Sequence, residues 1–196
     1  MKLNIISILC ICCASFSLIL TPLLASDKSG DKSADKSTEL EQAKEIVKKV
    51  NEGLVYLINE VKSKGEEKAL EQFNKETPAS VWGKGEMYFS TYNCAEYTVV
   101  GHPYKPLKGK KLLDLKDKKG KPFFKELCDT AKNNKDGGWV EYWWPKPGKD
   151  ESVPFRKVAF IKGVEHKLAD GTVRFYAQTA GVYSDTLTIK EVSSFK

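Results

Sequence analysis

The 196-residue chain predicts an α+β domain in which one long N-terminal helix packs on an antiparallel sheet. Three observations carry this expectation. Apolar residues between Thr38 and Gly65 recur at alternating spacings of three and four, the period of a helix with one buried face. From Met87 to Tyr183 the pattern changes to single alternation among aromatic and β-branched residues, as in half-buried strands. The helical pattern precedes the strands instead of separating them, which argues against the alternating order of a parallel α/β sheet.

The chain opens with the three parts of an export signal. Lys2 is the one charge in the first 25 residues, an apolar run covers Leu3–Leu20, and Thr21-Pro22-Leu23-Leu24-Ala25 supplies a small-residue end. Cleavage is expected after Ala25, giving a periplasmic or secreted protein that starts near Ser26. The rival is an uncleaved membrane anchor, since the run approaches the roughly 20 residues that span a bilayer; Pro22 and the polar stretch beyond it favour cleavage. Cys10, Cys12 and Cys13 lie too early for a lipid-attachment site.

Residues 26–37 repeat Asp-Lys-Ser three times and hold no apolar side chain beyond alanine, so they are expected to form a disordered tether. Thr38 with Glu41 then forms a capping-box pattern. Leu40, Ala43, Val47, Val50, Leu54, Leu57 and Val61 follow as a stripe on a helix of about 25 residues ending near Gly65. The stripe could be the seam of a homodimer, but it is short and flanked by Asn51 and Asn59, so packing on the domain's own sheet is the preferred expectation. A second helix is expected over Glu66–Asn74, leading through Thr77-Pro78 to Gly83–Gly85. Helices thus occupy 38–76 and the sheet 85–187. Strands are expected near Met87–Tyr92, Tyr97–Gly101, Trp139–Trp144, Arg156–Lys162 and Val173–Tyr183, with a helix inside Lys121–Asn134 carrying Phe124, Leu127, Cys128 and Ala131 on one side. One domain over 38–196 accounts for this, and the reading leaves no segment for signal output.

Charge excludes some partners. Without residues 1–25 the chain carries 31 basic and 26 acidic side chains, a modest excess spread evenly, where a nucleic-acid protein would cluster its lysines. The densest block, Lys105–Lys121, is interrupted by Asp114 and Asp117 and fits a solvated loop. Of five cysteines only Cys94 and Cys128 lie beyond the export signal. An oxidising compartment allows them to bridge, but their positions in a hairpin turn and a helix do not assure their approach, and two free thiols are the preferred expectation. Neither has metal-site or redox spacing, and no cofactor motif is present. The two histidines, His102 and His166, form no recognisable catalytic constellation, and the expectation is a protein that is not an enzyme.

The candidate binding residues come from strand alternation and punctuation. Val140, Tyr142 and Trp144 fall on one face of their strand and Trp139, Glu141 and Trp143 on the other. Tyr and Trp suit a pocket because each joins an apolar body to a polar donor. His102, between Gly101 and Pro103, is held in extended geometry at a strand end and is expected to donate to a carboxylate and to change charge near neutral pH. Lys157 is the expected counter-charge for an anion, with Arg156 as its rival on the opposite face.

These segments, taken in order, resemble the single Cache domain of type 2, a bacterial extracytoplasmic sensor module. The resemblance is carried by Met87-Tyr88-Phe89, Val100-Gly101-His102-Pro103, Gly109 with Leu112-Leu113-Asp114, Val140-Glu141-Tyr142-Trp143-Trp144, Lys157-Val158-Ala159-Phe160 and Gly181-Val182-Tyr183, over most of residues 40–187. It implies a PAS-like sheet whose pocket takes small organic acids or similar metabolites, with Tyr88, His102, Tyr142, Trp144 and Lys157 as ligand-binding residues. Three departures stand out: Asn93-Cys94-Ala95-Glu96 offers no turn glycine, Phe160 lacks a hydroxyl often found there, and Lys118-Lys119-Gly120 replaces an acidic turn. The resulting expectation is an exported, stand-alone sensor or binding protein for a small organic ligand, most simply a small carboxylate, that hands its signal to a membrane sensor or receptor. The alternative is an extracytoplasmic interaction module, docking a partner by the helix stripe or the Trp139/Trp143 face over a vestigial pocket.

Overall fold

A computed structural model of the chain describes residues 29–75, 82 and 86–196. The export signal at 1–25, Ser26–Lys28, Thr77-Pro78 and Gly83–Gly85 lie outside the described residues.

The first helix, α1, spans Ser29–Lys64 and stops at Gly65, whose φ of 85° is available to glycine at little cost. Its start departs from the expectation, because Ser29–Ser37 belongs to the helix and Thr38 is not its cap. The segment has no core to bury, but it adjoins a helix already fixed by packing, and extending a helix costs far less than nucleating one. Lys36 pairs with Glu191 at 2.6 Å, tying this first part to the C-terminal region, and Glu41 pairs with Lys44 rather than closing a capping box.

Two short elements follow, α2 at Glu66–Leu70 and a 3₁₀ turn at Glu71–Asn74. Leu70 and Phe73 pack with Leu57 and Val61 of α1 and with Tyr176. The strands are β1 (Ser90–Asn93), β2 (Thr98–Gly101), β3 (Gly138–Pro145), β4 (Pro154–Lys167) and β5 (Val173–Tyr183), joined as an antiparallel sheet in the order β2-β1-β5-β4-β3. A further helix, α3, runs over Phe123–Asn133, and α4 over Ile189–Val192 closes the chain with a Thr188–Glu191 capping box.

Alternation along the strands divides the core between two layers. Val158, Phe160, Ala180 and Val182 face α1 and pack on Ala43, Ile46, Val47, Val50 and Leu54. Val140, Tyr142, Ala159, Ile161 and Ala177 face the other way and pack on Phe123, Phe124, Leu127 and Ala131 of α3. The helix stripe is therefore covered by its own sheet, as preferred from the sequence. Trp139 also turns inward, packing on Phe160 with ring centroids 5.3 Å apart and donating its Nε1–H to Phe195 O at 3.0 Å.

The β1–β2 turn shows how a hairpin closes without glycine. Tyr97 takes the left-handed conformation at φ 54°, an arrangement that costs about 1 kcal/mol or more. Its hydroxyl donates to Asp129 Oδ1 at 3.2 Å and Lys132 Nζ lies 4.3 Å from its ring, both from α3. Beside it Cys94 and Cys128 form a disulfide with Cα atoms 5.3 Å apart, which corrects the expectation of two free thiols: packing of α3 on the sheet brings the turn and the helix together.

That bridge closes a loop across a sequence separation of 34 residues, and loop-closure entropy gives it about 3–4 kcal/mol of stability. Cys94→Ala with Cys128→Ala should lower the urea midpoint by that amount of free energy without changing the far-ultraviolet spectrum. An unchanged midpoint would show that the bridge does not hold the hairpin on α3.

Candidate functional site

The α3-facing side of the sheet carries the site. Register places Tyr142, Lys157 and Tyr183 side by side on β3, β4 and β5. Gly181, two residues before Tyr183, makes room for the lysine: a Cβ there would stand 2.9 Å from Lys157 Cε and 2.8 Å from Val158 O. Lys157 is only 2 % exposed, and its Nζ lies 3.9 Å from the centre of the Tyr88 ring and 4.9 Å from that of Tyr183. Among the described residues no carboxylate pairs with it. Burying an ammonium costs several kcal/mol, and two ring faces at these distances offset part of that cost.

Its sequence rival has another task. Arg156 points to the α1 side, where Nε and Nη2 bind Glu141 Oε2 and Nη1 donates to Ser184 O at 2.9 Å and Leu187 O at 2.7 Å. All three nitrogens are engaged within the fold, which leaves Lys157 as the cation on the pocket face.

His102 directly follows β2 and is buried against the same group. Its own N–H donates to Asn74 Oδ1 at 3.2 Å, and its Nδ1 accepts the Tyr104 N–H at 2.9 Å. An acceptor Nδ1 fixes the neutral tautomer, with the proton on Nε2. Burial, and then the Lys157 ammonium, pull its pKa down from 6.5 to about 3. The sequence expectation of a charge change near neutral pH is thereby corrected: a second cation beside Lys157, in a site largely removed from water, is too costly. The ring remains a donor through Nε2.

The aromatic residues complete the walls. Tyr88 meets His102 edge-on at 5.3 Å, Tyr142 stacks on Phe123 at 4.4 Å, and Trp144 lies 5.3 Å from Phe123. Burial pushes the Tyr142 phenol up, as it does that of Tyr183, whose hydroxyl donates to Pro145 O at 2.7 Å. These hydroxyls thus stay neutral donors at any ordinary pH.

Two cavities adjoin this group. An inner one of about 20 Å³ lies among Tyr88, Ser90, Tyr92, His102, Tyr142 and Trp144. An outer one of about 580 Å³ opens between Tyr104 and the β3–β4 loop, with Lys118, Lys146 and Lys149 against Glu151 on its wall. Tyr88, His102, Leu107 and Trp144 line both. The structure therefore brings all five sequence-derived candidates together, although Lys157 lies against the Tyr88 ring and not on a cavity wall.

Some neighbours escaped the sequence reading. Tyr183 could have been found, since alternation from Gly181 puts it on the face of Lys157. Lys146 and Lys149 could not, because their position depends on the path of a loop. Two departures from the family pattern also find their meaning. Phe160 faces α1, so its missing hydroxyl does not touch the cavities. Lys118 in the replaced turn contributes to the basic wall, while Asp117 holds that turn on β3 by accepting the N–H groups of Lys119, Lys121 and Trp143 at 2.8–3.0 Å.

Comparison with known proteins agrees with this architecture. The family model of the Cache domain matches residues 28–167. Among solved structures, a Cache chemosensory domain described for carboxylic acid recognition is 22% identical, with 81% of this chain and 100% of that chain covered at a TM-score of 0.51. A methyl-accepting chemotaxis protein from Vibrio parahaemolyticus RIMD 2210633 is 20% identical, with 79% and 97% covered at a TM-score of 0.51. At these identities the likeness speaks of the fold.

The low His102 pKa has a consequence for stability. Its folded value of about 3 lies below the ordinary 6.5, so the unfolded chain binds the proton more tightly. The contribution is fully present above pH 6.5 and is lost as pH falls toward 3, at about 1.4 kcal/mol per pH unit. His102→Gln should remove that slope, so that the stability difference between wild type and variant narrows from pH 7 to pH 4.5. A difference constant over this range would mean that His102 titrates normally.

Proposed function

The chain belongs to the Cache family, and on that premise we propose that it is an extracytoplasmic sensor module that binds a small organic anion, most simply a carboxylate, and performs no chemistry on it. The observation that carries the reading is Lys157: a lysine 2 % exposed, without an acidic partner among the described residues, beside a neutral histidine donor and a cluster of tyrosines. A buried ammonium calls for an anion, and charge-assisted bonds to a carboxylate meet that need. His102 offers Nε2–H as a neutral donor, Tyr142 pairs with Lys157 in the sheet, the Tyr88 ring lies beside the ammonium, and Trp144 supplies an apolar wall. A related Cache domain described as recognising carboxylic acids supports the same choice.

Export belongs to the proposal. Its support is the charged start, apolar run and Ala25 end of residues 1–25 together with the Cys94–Cys128 bridge, a bond that persists in oxidising compartments. Mass spectrometry of the native protein is expected to find an N-terminus near Ser26, and an intact Met1 in the membrane fraction would contradict it.

Thermal melts over a panel of small carboxylates and their neutral amides test the ligand class. A carboxylate at 100 times its dissociation constant should stabilise the protein by about 2.7 kcal/mol, and the matching amide should not. Lys157→Met should keep the unliganded stability or raise it, yet lose about 2–5 kcal/mol of binding. Equal responses to a carboxylate by wild type and Lys157→Met would remove the lysine from the site; no response to any carboxylate would favour a protein-docking module.

A further inference from the structure

Tyr88 stands between the cavities and the cation. Its ring is a wall of both cavities and lies 3.9 Å from Lys157 Nζ. The inner cavity, about 20 Å³, has room for roughly one water. A small organic anion therefore fits only the outer cavity of about 580 Å³, and from there it meets Tyr88 before it meets Lys157.

The partition between the cavities consists of Tyr88, His102, Leu107 and Trp144, and its members are not held alike. His102 is fixed at both its backbone N–H and its Nδ1. Trp144 sits in the β3–β4 ladder opposite Phe155, and Leu107 is bonded through its N–H to Tyr104 O at 3.1 Å. Tyr88 lies outside the strands, before Ser90, and is held by ring contacts and a hydrogen bond to Tyr183. Two residues upstream, Glu86 pairs with Lys146 at 3.3 Å, and Lys146 is itself a wall of the outer cavity.

We infer that Tyr88 is the gating residue of this site: its ring covers the face of the Lys157 ammonium that an anion would take, and an anion in the outer cavity releases it by competing with Glu86 for Lys146. The inference rests on the reading of Lys157 as the anion-binding group. It gives Lys146 a purpose that its pairing with Glu86 leaves open, since the lysine is both a cation on the wall of the outer cavity and the anchor of the gating segment. It also makes selectivity a matter of competition. A neutral ligand of the same shape has no means of displacing Glu86.

The test needs no identified ligand. Reductive dimethylation of the native protein with formaldehyde and a borane, followed by peptide mass spectrometry, reads the accessibility of each lysine amine. Lys157 should label far more slowly than the exposed Lys149 in wild type. Tyr88→Ala should raise the Lys157 rate about tenfold or more, the scale of losing a cation–π contact with its packing, while Tyr88→Phe should keep the protection. Glu86→Gln, which leaves every ring in place, should raise the rate by a smaller factor, and sodium acetate should slow the raised rate in Tyr88→Ala by pairing with the uncovered ammonium. An unchanged Lys157 rate in both Tyr88→Ala and Glu86→Gln, with the other lysines labelling as in wild type, would overturn the gate. A Lys157 rate that rises in Tyr88→Ala but that no carboxylate slows in that variant would overturn Lys157 as the anion-binding group and leave its cover by Tyr88 standing.

Discussion

The desolvation of one ammonium group constrains the rest of this site. Lys157 lies near the start of β4, opposite Tyr142 on one side and Tyr183 on the other, where water cannot reach it. The surroundings answer that cost in three ways. Gly181 gives the side chain room to lie flat, tyrosine ring faces replace part of its hydration, and His102 is kept from acquiring a second positive charge. None of these supplies a negative charge. An apolar residue of similar size would make a cheaper core, so the lysine is best understood through what it binds.

The scaffold explains how such a costly group is tolerated. α1 covers one face of the sheet with an unbroken apolar stripe, and β4 carries the lysine between β3 and β5, paired on both sides. On the other face α3 is pinned by a disulfide, by Tyr97 and by its own buried phenylalanines. The pocket walls Phe123 and Tyr142 are therefore fixed, while Tyr88 lies outside the strands and is held by ring contacts and a hydrogen bond to Tyr183. Rigidity and mobility are distributed along the chain by secondary structure.

Much of this was legible in the sequence because the signals were local. The period-3.6 stripe of α1, its end at Gly65, the helix around Leu127 and the strand alternation of Val140, Tyr142 and Trp144 each depend on neighbours a few residues away. The extra length of α1 was not legible, because propagation from a packed helix into a polar repeat depends on the tertiary structure that fixes the helix. The state of His102 was hidden for a similar reason. Its residue type and its setting between Gly101 and Pro103 suggested a titrating group, but its protonation is decided by burial and by Lys157, which is 55 residues away in the chain. The resemblance of ordered motifs pointed to five residues that the fold places near one another, yet only the folded chain shows that a tyrosine separates the lysine from open space.

The central claim is that the Lys157 ammonium exchanges tyrosine ring faces for an anion. Its ε-methylene protons lie over those rings and should carry an upfield ring-current shift in a ¹³C-edited spectrum of lysine-labelled protein, identified by its loss in Lys157→Met. On titration with a binding carboxylate this signal should move downfield toward ordinary lysine positions, with a saturable dependence on concentration. A shift that stays upfield throughout, while the carboxylate demonstrably binds elsewhere on the protein, would contradict it.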